Sequence, residues 1–119
     1  MTIFEIMLCT HLFADYLLQT EWQAVNKSKN ILALLSHIIV YHAVMLSALV
    51  WRLGLDVRVL GVVALLALTH TLMDRGWLLP RLMRALRLVV NRQPERWFVM
   101  VVDQVIHILL LGVAALMLR

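Results

Sequence analysis

Five histidines, His11, His37, His42, His70 and His107, interrupt segments that are otherwise almost wholly apolar. Three of them have an aspartate four residues away: His11 with Asp15, His70 with Asp74, and His107 with Asp103. Residues four apart on a helix share a face, so each pair would present an imidazole and a carboxylate in one direction. Those two groups are ligands for zinc, iron or manganese, and helical bundles build such sites from side chains on facing helices. The first-rank groups are His11, Asp15, His37, His70, Asp74, Asp103 and His107, more than one tetrahedral ion needs. One or two divalent transition ions are expected, with Asp15, Asp74 or Asp103 as a general base if it is not a ligand.

The chemistry expected of such a centre is hydrolysis, the ion lowering the pKa of a bound water toward neutrality. Gln19, eight residues after His11, and Gln104, beside Asp103, are placed to hold a ligand or a water. Arg75 adjoins Asp74 and, with Lys27 and Arg96, could attract a phosphate, so a lipid or phosphorylated amphiphile is the expected substrate. Other readings stay open. Asp and His in membrane helices also act as interhelical glue, contributing about 1 kcal/mol per hydrogen bond. Lines of Asp and His also build proton or cation pathways, so a metal or proton carrier, or a small subunit of a membrane complex, is the alternative.

These residues need an apolar frame. The chain has 119 residues, is 63% hydrophobic and has a mean hydropathy of +0.88, too apolar for a soluble domain of this length. Ile31 to Trp51 carries no charge apart from its two histidines and is long enough, at about 1.5 Å per residue, to span a hydrocarbon layer of about 30 Å. The expected fold is all-α: an integral membrane four-helix bundle in a single transmembrane domain over residues 1–119. Its helices are expected at about 3–19, 31–52, 58–79 and 97–118. The first segment lacks a basic leader and carries Glu5, His11 and Asp15, so it reads as a mature helix and not as a signal peptide. Cys9, the single cysteine, excludes an intrachain disulfide and suggests a buried thiol.

Charge asymmetry orients the bundle. Lys27, Lys29, Arg75, Arg81, Arg84, Arg87, Arg92 and Arg96 fall on one side, and Arg52, Arg58 and Arg119 on the other. The positive-inside rule makes the first side cytoplasmic and places both termini outside. The net charge of +4 then reflects topology and contact with membrane lipids, with no motif for nucleic acid. An oligomer or a membrane-complex partner suits so short a chain. Between the third and fourth spans, Pro80 suits the first position of a cytoplasmic interfacial helix at about 80–91. Arg81, Arg84 and Arg87 lie opposite Leu82, Met83, Leu86, Val89 and Val90, and Asn91 and Pro94 end the helix. Asn30 is placed to cap the second span, and Gly54 with Asp56 marks the tight outer turn.

Counting residues inward from the cytoplasmic end at about 1.5 Å each places Asp15, His37, Asp74 and Asp103 roughly 7 to 9 Å deep. His11, His70 and His107 fall roughly 13 to 15 Å deep. His37 and His42 differ by about 140° around their helix, so His37 joins this layer, flanked by Tyr41, and His42 points elsewhere.

The combined pattern has His11-x-x-x-Asp15-x-x-x-Gln19, Thr20-Glu21-Trp22, Asn26-Lys27 and His37, then His70-x-x-x-Asp74 and Asp103-Gln104-x-x-His107. It resembles a family of small bacterial inner-membrane proteins known as a domain of unknown function. The resemblance covers nearly the whole chain and implies the bacterial inner membrane and the same residue choice, but no reaction. A weaker similarity is to bacterial membrane proteins described as metal-dependent hydrolases.

Overall fold

The computed structural model describes residues 1–90 and 93–119 and is all-helical there. Helix α1 (Ile3–Leu12) starts at Thr2, whose hydroxyl accepts from Glu5 N–H while the Glu5 carboxylate accepts from Thr2 N–H. It runs without a break into a single π-helical turn, Phe13–Leu17, closed by the Leu18 N–H on the Phe13 carbonyl at 3.2 Å. Helix α2 (Glu21–Asn26) is short and lies where a loop is expected from the sequence. Its cause is local: Thr20 and Gln23 form a reciprocal capping box.

Helix α3 (Ile31–Leu53) is capped by Asn30, whose side-chain oxygen accepts from Leu32 and Ala33 N–H. It stops at Gly54, whose φ of +82° is open to glycine at little cost, and Asp56 caps helix α4 (Val57–Asp74). The hydrogen bond from Arg58 N–H holds the Asp56 carboxyl below the usual carboxylate range. Helix α4 ends earlier than the expected 79, because the chain turns at Gly76 with a φ of +84°.

Helix α5 (Leu78–Ala85) is also shorter than expected. Pro80 occupies its third position instead of its first, which the helix tolerates because the first four N–H groups have no partner within it. Leu79 and Met83 are buried while Arg81 and Arg84 are exposed, with the Arg81 guanidinium 5.2 Å from the centre of the Trp77 ring. The helix ends with Arg87 in the left-handed region at φ 56° and the Leu88 N–H on the Met83 carbonyl. Asn91, the expected terminator, and Arg92 lie outside the described residues. Helix α6 (Arg96–Met117) completes the chain.

Helices α3, α4 and α6 are long and apolar enough to cross a membrane. Helix α1 packs against α3 and α6, and α4 packs against the same two. The main apolar core fills the half of the molecule near the α3–α4 turn, with Met7, Met45, Leu49, Val59, Val62, Leu111 and Ala114 meeting there. A smaller cluster at the other end seats Leu79 and Met83 of α5 beside Met73, Phe98 and Val99. The histidines and aspartates lie between the two. Cys9 is exposed on α1, where a buried thiol was expected.

Candidate metal centre

Three helical segments bring their polar side chains to one point. Asp15 comes from the π-helical turn, His37 from α3, and His70 and Asp74 from adjacent turns of α4. His37 Nε2 is 3.3 Å from Asp15 Oδ1, 3.3 Å from Asp74 Oδ2 and 3.3 Å from His70 Nε2. His70 Nε2 is in turn 3.2 Å from Asp74 Oδ2. All four residues are buried.

Hydrogen bonding alone does not satisfy this arrangement. A neutral imidazole carries one N–H, so His37 Nε2 can donate to only one of its three neighbours. Two imidazole nitrogens facing each other at 3.3 Å also need a proton or a cation between them. Ligands about 2.0 Å from a tetrahedral ion are separated from one another by about 3.3 Å, the spacing measured here. The donor set therefore fits a divalent ion. Candidate ligand triads among the described residues are Asp15, His37 and His70, and His70, Asp74 and His107, which share His70.

Lys27 supplies a positive charge to the cluster. Its ammonium lies 2.9 Å from Asp74 Oδ2, the oxygen that also faces His37 and His70. The sequence placed this lysine at the mouth of the site; helix α2 carries it inward. The capping box Thr20-x-x-Gln23 was the sequence signal for that helix.

Gln104 ties the centre to a second polar group. Its amide nitrogen donates to Asp15 Oδ2 at 3.0 Å and to Asp103 Oδ2 at 3.2 Å, which turns its oxygen toward His11 Nε2 at 3.0 Å. His11 is therefore the Nε2–H tautomer, and its Nδ1 accepts from the Tyr41 hydroxyl at 2.7 Å. Both ring nitrogens of His11 are occupied, so this histidine braces α1 against α3 and α6 in the present structure. His11 and Asp15, expected to act as a pair, meet on the Gln104 amide, while their other partners differ: Tyr41 for His11 and His37 for Asp15.

His107 donates from Nδ1 to the carbonyl of Asp103 at 2.8 Å, leaving the lone pair of Nε2 buried without a partner among the described residues. That nitrogen is a candidate ligand position beside His70, the two ring centres being 4.8 Å apart. Asp103 itself lies 3.6 Å from His107 Nδ1 and is partly open to the cavity below. His42 does not point away as its angle around α3 suggested: its ring centre is 5.4 Å from that of His70, and the ring is buried. His70 sits between His37 and His42 because α4 packs along a broad stripe of α3 that includes Tyr41.

A cavity of about 400 Å³ opens from the cluster. Asp15, Asp74 and Asp103 lie at its floor with Gln104, and Gln19, Lys27 and Arg96 line the remainder with Tyr16, Met73, Leu79 and Met100. Gln19 thus takes part only as a cavity wall. Arg75, expected at the mouth, is exposed and does not line the cavity.

A family model described as a protein of unknown function, DUF3307, matches residues 3–119. The chain belongs to the DUF3307 family. No curated protein and no solved structure matches it. Family membership therefore brings the DUF3307 protein no reaction, and its function has to be argued from the geometry of the centre.

Proposed function

We propose that this DUF3307 protein is an integral membrane protein of the bacterial inner membrane with an intramembrane centre for one or two divalent transition ions. The carrying observation is the cluster of His37, His70, Asp15 and Asp74, in which four of the six pairs of ligand atoms lie 3.2 to 3.3 Å apart, the edge length of a tetrahedral ligand set. His37 Nε2, His70 Nε2, Asp15 Oδ1 and Asp74 Oδ2 would hold an ion. His107 Nε2 would join His70 and Asp74 in the alternative triad, which draws on the same His70 and so competes with the first. Exposed Trp51 at one end, and Trp22, Trp77 and Trp97 near the basic end, support the membrane reading, because indole rings favour the headgroup level. The basic end faces the cytoplasm, and both termini face outward.

A zinc, iron or manganese ion here would activate water near neutral pH, and the reaction class we infer is hydrolysis of a substrate that enters from the membrane. Asp103, which the cavity reaches and whose backbone orients His107, takes the proton of the attacking water. The oxygen of that water goes to the acyl or phosphoryl product; the ester bond breaks, and the departing alkoxide oxygen takes the proton from Asp103. Asp15 and Asp74 act as ligands in this scheme, and Gln104 orients Asp15 and Asp103. A structural role suits His11 and Tyr41 better, since both ring nitrogens of His11 already have protein partners.

Elemental analysis of detergent-purified protein tests the centre. At least one equivalent of transition metal is expected, removable by chelation and rebound on addition of zinc or manganese. Metal-free protein that refuses added zinc, iron and manganese while remaining folded would overturn the reading.

A further inference from the structure

The cavity beside the cluster carries more information than the centre itself. Its charged lining consists of three carboxylates, Asp15, Asp74 and Asp103, against two cations, Lys27 and Arg96. Alone, that lining is net negative and repels anions. A divalent ion on Asp15 and Asp74 reverses the sign, so the loaded cavity becomes a receptor for negative charge with Lys27 and Arg96 beside it. The rest of the wall mixes the polar Gln19, Ser28 and Gln104 with apolar side chains, and Tyr16 and Met100, one on each side, are more than half exposed at 54% each. The π-helical turn and α2 pack mainly on α3, the turn reaching α6 through the Asp15–Gln104 hydrogen bond, and the exposed Tyr16 and Met100 flank the cavity as a cleft. About 400 Å³ accommodates a headgroup but no pair of acyl chains, which would stay outside the cleft.

We propose that this cavity binds the phosphate group of a membrane amphiphile, the phosphate lying between Lys27, Arg96 and the loaded centre while the apolar tail leaves through the cleft between Tyr16 and Met100. The proposal rests on the metal reading for the sign of the cavity. A phosphate monoester carries roughly two negative charges at neutral pH, which suits two cations and a divalent ion.

The test uses the full chain in nanodiscs of phosphatidylcholine, with and without added zinc, probed with phosphatidic acid and separately with glycerol phosphate. Binding is read from phosphorus NMR broadening and from lipid retained on purification. Zinc-loaded wild type should retain phosphatidic acid at least tenfold over phosphatidylcholine. Chelation, Lys27→Gln or Arg96→Gln should each lower that preference about fivefold or more, and Lys27→Arg should restore it. Metal content measured on the same samples separates the two ideas: a protein that holds zinc but shows no preference overturns the phosphate proposal and leaves the centre standing. A protein that takes no metal yet prefers phosphatidic acid through Lys27 and Arg96 overturns the centre and, with it, the metal-dependent sign of the cavity on which this phosphate proposal rests. No metal and no preference overturns both. Glycerol phosphate binding as tightly as phosphatidic acid would overturn the membrane source of the ligand.

Discussion

The Nε2 atoms of His37 and His70 face each other at 3.3 Å across the α3–α4 interface, with Asp74 Oδ2 within 3.3 Å of both. Three ligand atoms from two helices thus surround one point, and Asp15 adds a fourth from the π-helical turn. The consequences for metal binding, stability and local structure can be measured separately.

Substituting His70→Ala or Asp74→Asn should reduce bound metal to below a tenth of an equivalent, because His70 belongs to both candidate triads and Asp74 Oδ2 lies within 3.3 Å of both His37 and His70. His11→Phe should keep its metal. Its cost should appear in thermal unfolding, at about 1 to 3 kcal/mol, because the Tyr41 hydroxyl and the Gln104 carbonyl lose their partner. Loss of metal from the His11 variant would contradict this division of roles.

Lys27→Met should bind zinc at least tenfold more tightly than wild type, since an ammonium 2.9 Å from Asp74 Oδ2 opposes a second cation there. The same variant should be less stable without metal, because it leaves the buried Asp74 carboxylate without its lysine partner. Titration calorimetry with zinc, and melting curves with and without it, should show a larger metal-induced rise in Tm than wild type. An unchanged zinc affinity would mean that Lys27 does not act on the centre.

Gly76→Ala and Gly61→Ala make a matched pair. A Cβ at Gly76 would lie 2.9 Å from Ser28 Cβ, on a backbone with φ of +84°, so this variant should lose about 1 to 3 kcal/mol. At Gly61, inside α4 with open space around it, alanine should be neutral or stabilising by up to about 1 kcal/mol. The sign difference is readable by thermal denaturation in detergent. Equal effects would place the chain turn elsewhere.

Thr20→Val removes the hydroxyl that caps α2 and should loosen the segment that delivers Lys27. Amide exchange over Gln23 to Lys27 should rise about fivefold, while exchange in the middle of α3 stays at the wild-type rate. Exchange rising throughout the chain would show that α2 is not an independent element.

Much of the helical frame was legible because it depends on local rules. The apolar run from Ile31, the caps at Asn30 and Asp56, and the turn at Gly54 follow from hydropathy and neighbouring residues. The misread elements also have identifiable physics. Gly76 ends α4 early, Thr20 with Gln23 builds α2, and Arg87 in the left-handed region closes α5 after Ala85. The first two leave marks in the sequence, a glycine before a helical run and a capping box. The π-helical turn at Phe13–Leu17 leaves none that we can identify.

What the sequence determined by itself was therefore the inventory: helices able to cross a membrane, and histidines and aspartates placed at comparable depth within them. Depth is additive along a helix at a fixed rise per residue, so counting reaches it. Direction is not, because it depends on local winding and on which helix packs against which. Only the tertiary structure turned His11 to Tyr41 and Gln104, set His42 against His70, and brought Lys27 onto Asp74. Contacts between residues of different helical segments, far apart in the chain, assigned His37, His70 and Asp15 to one point, and no periodicity within a single helix encodes them.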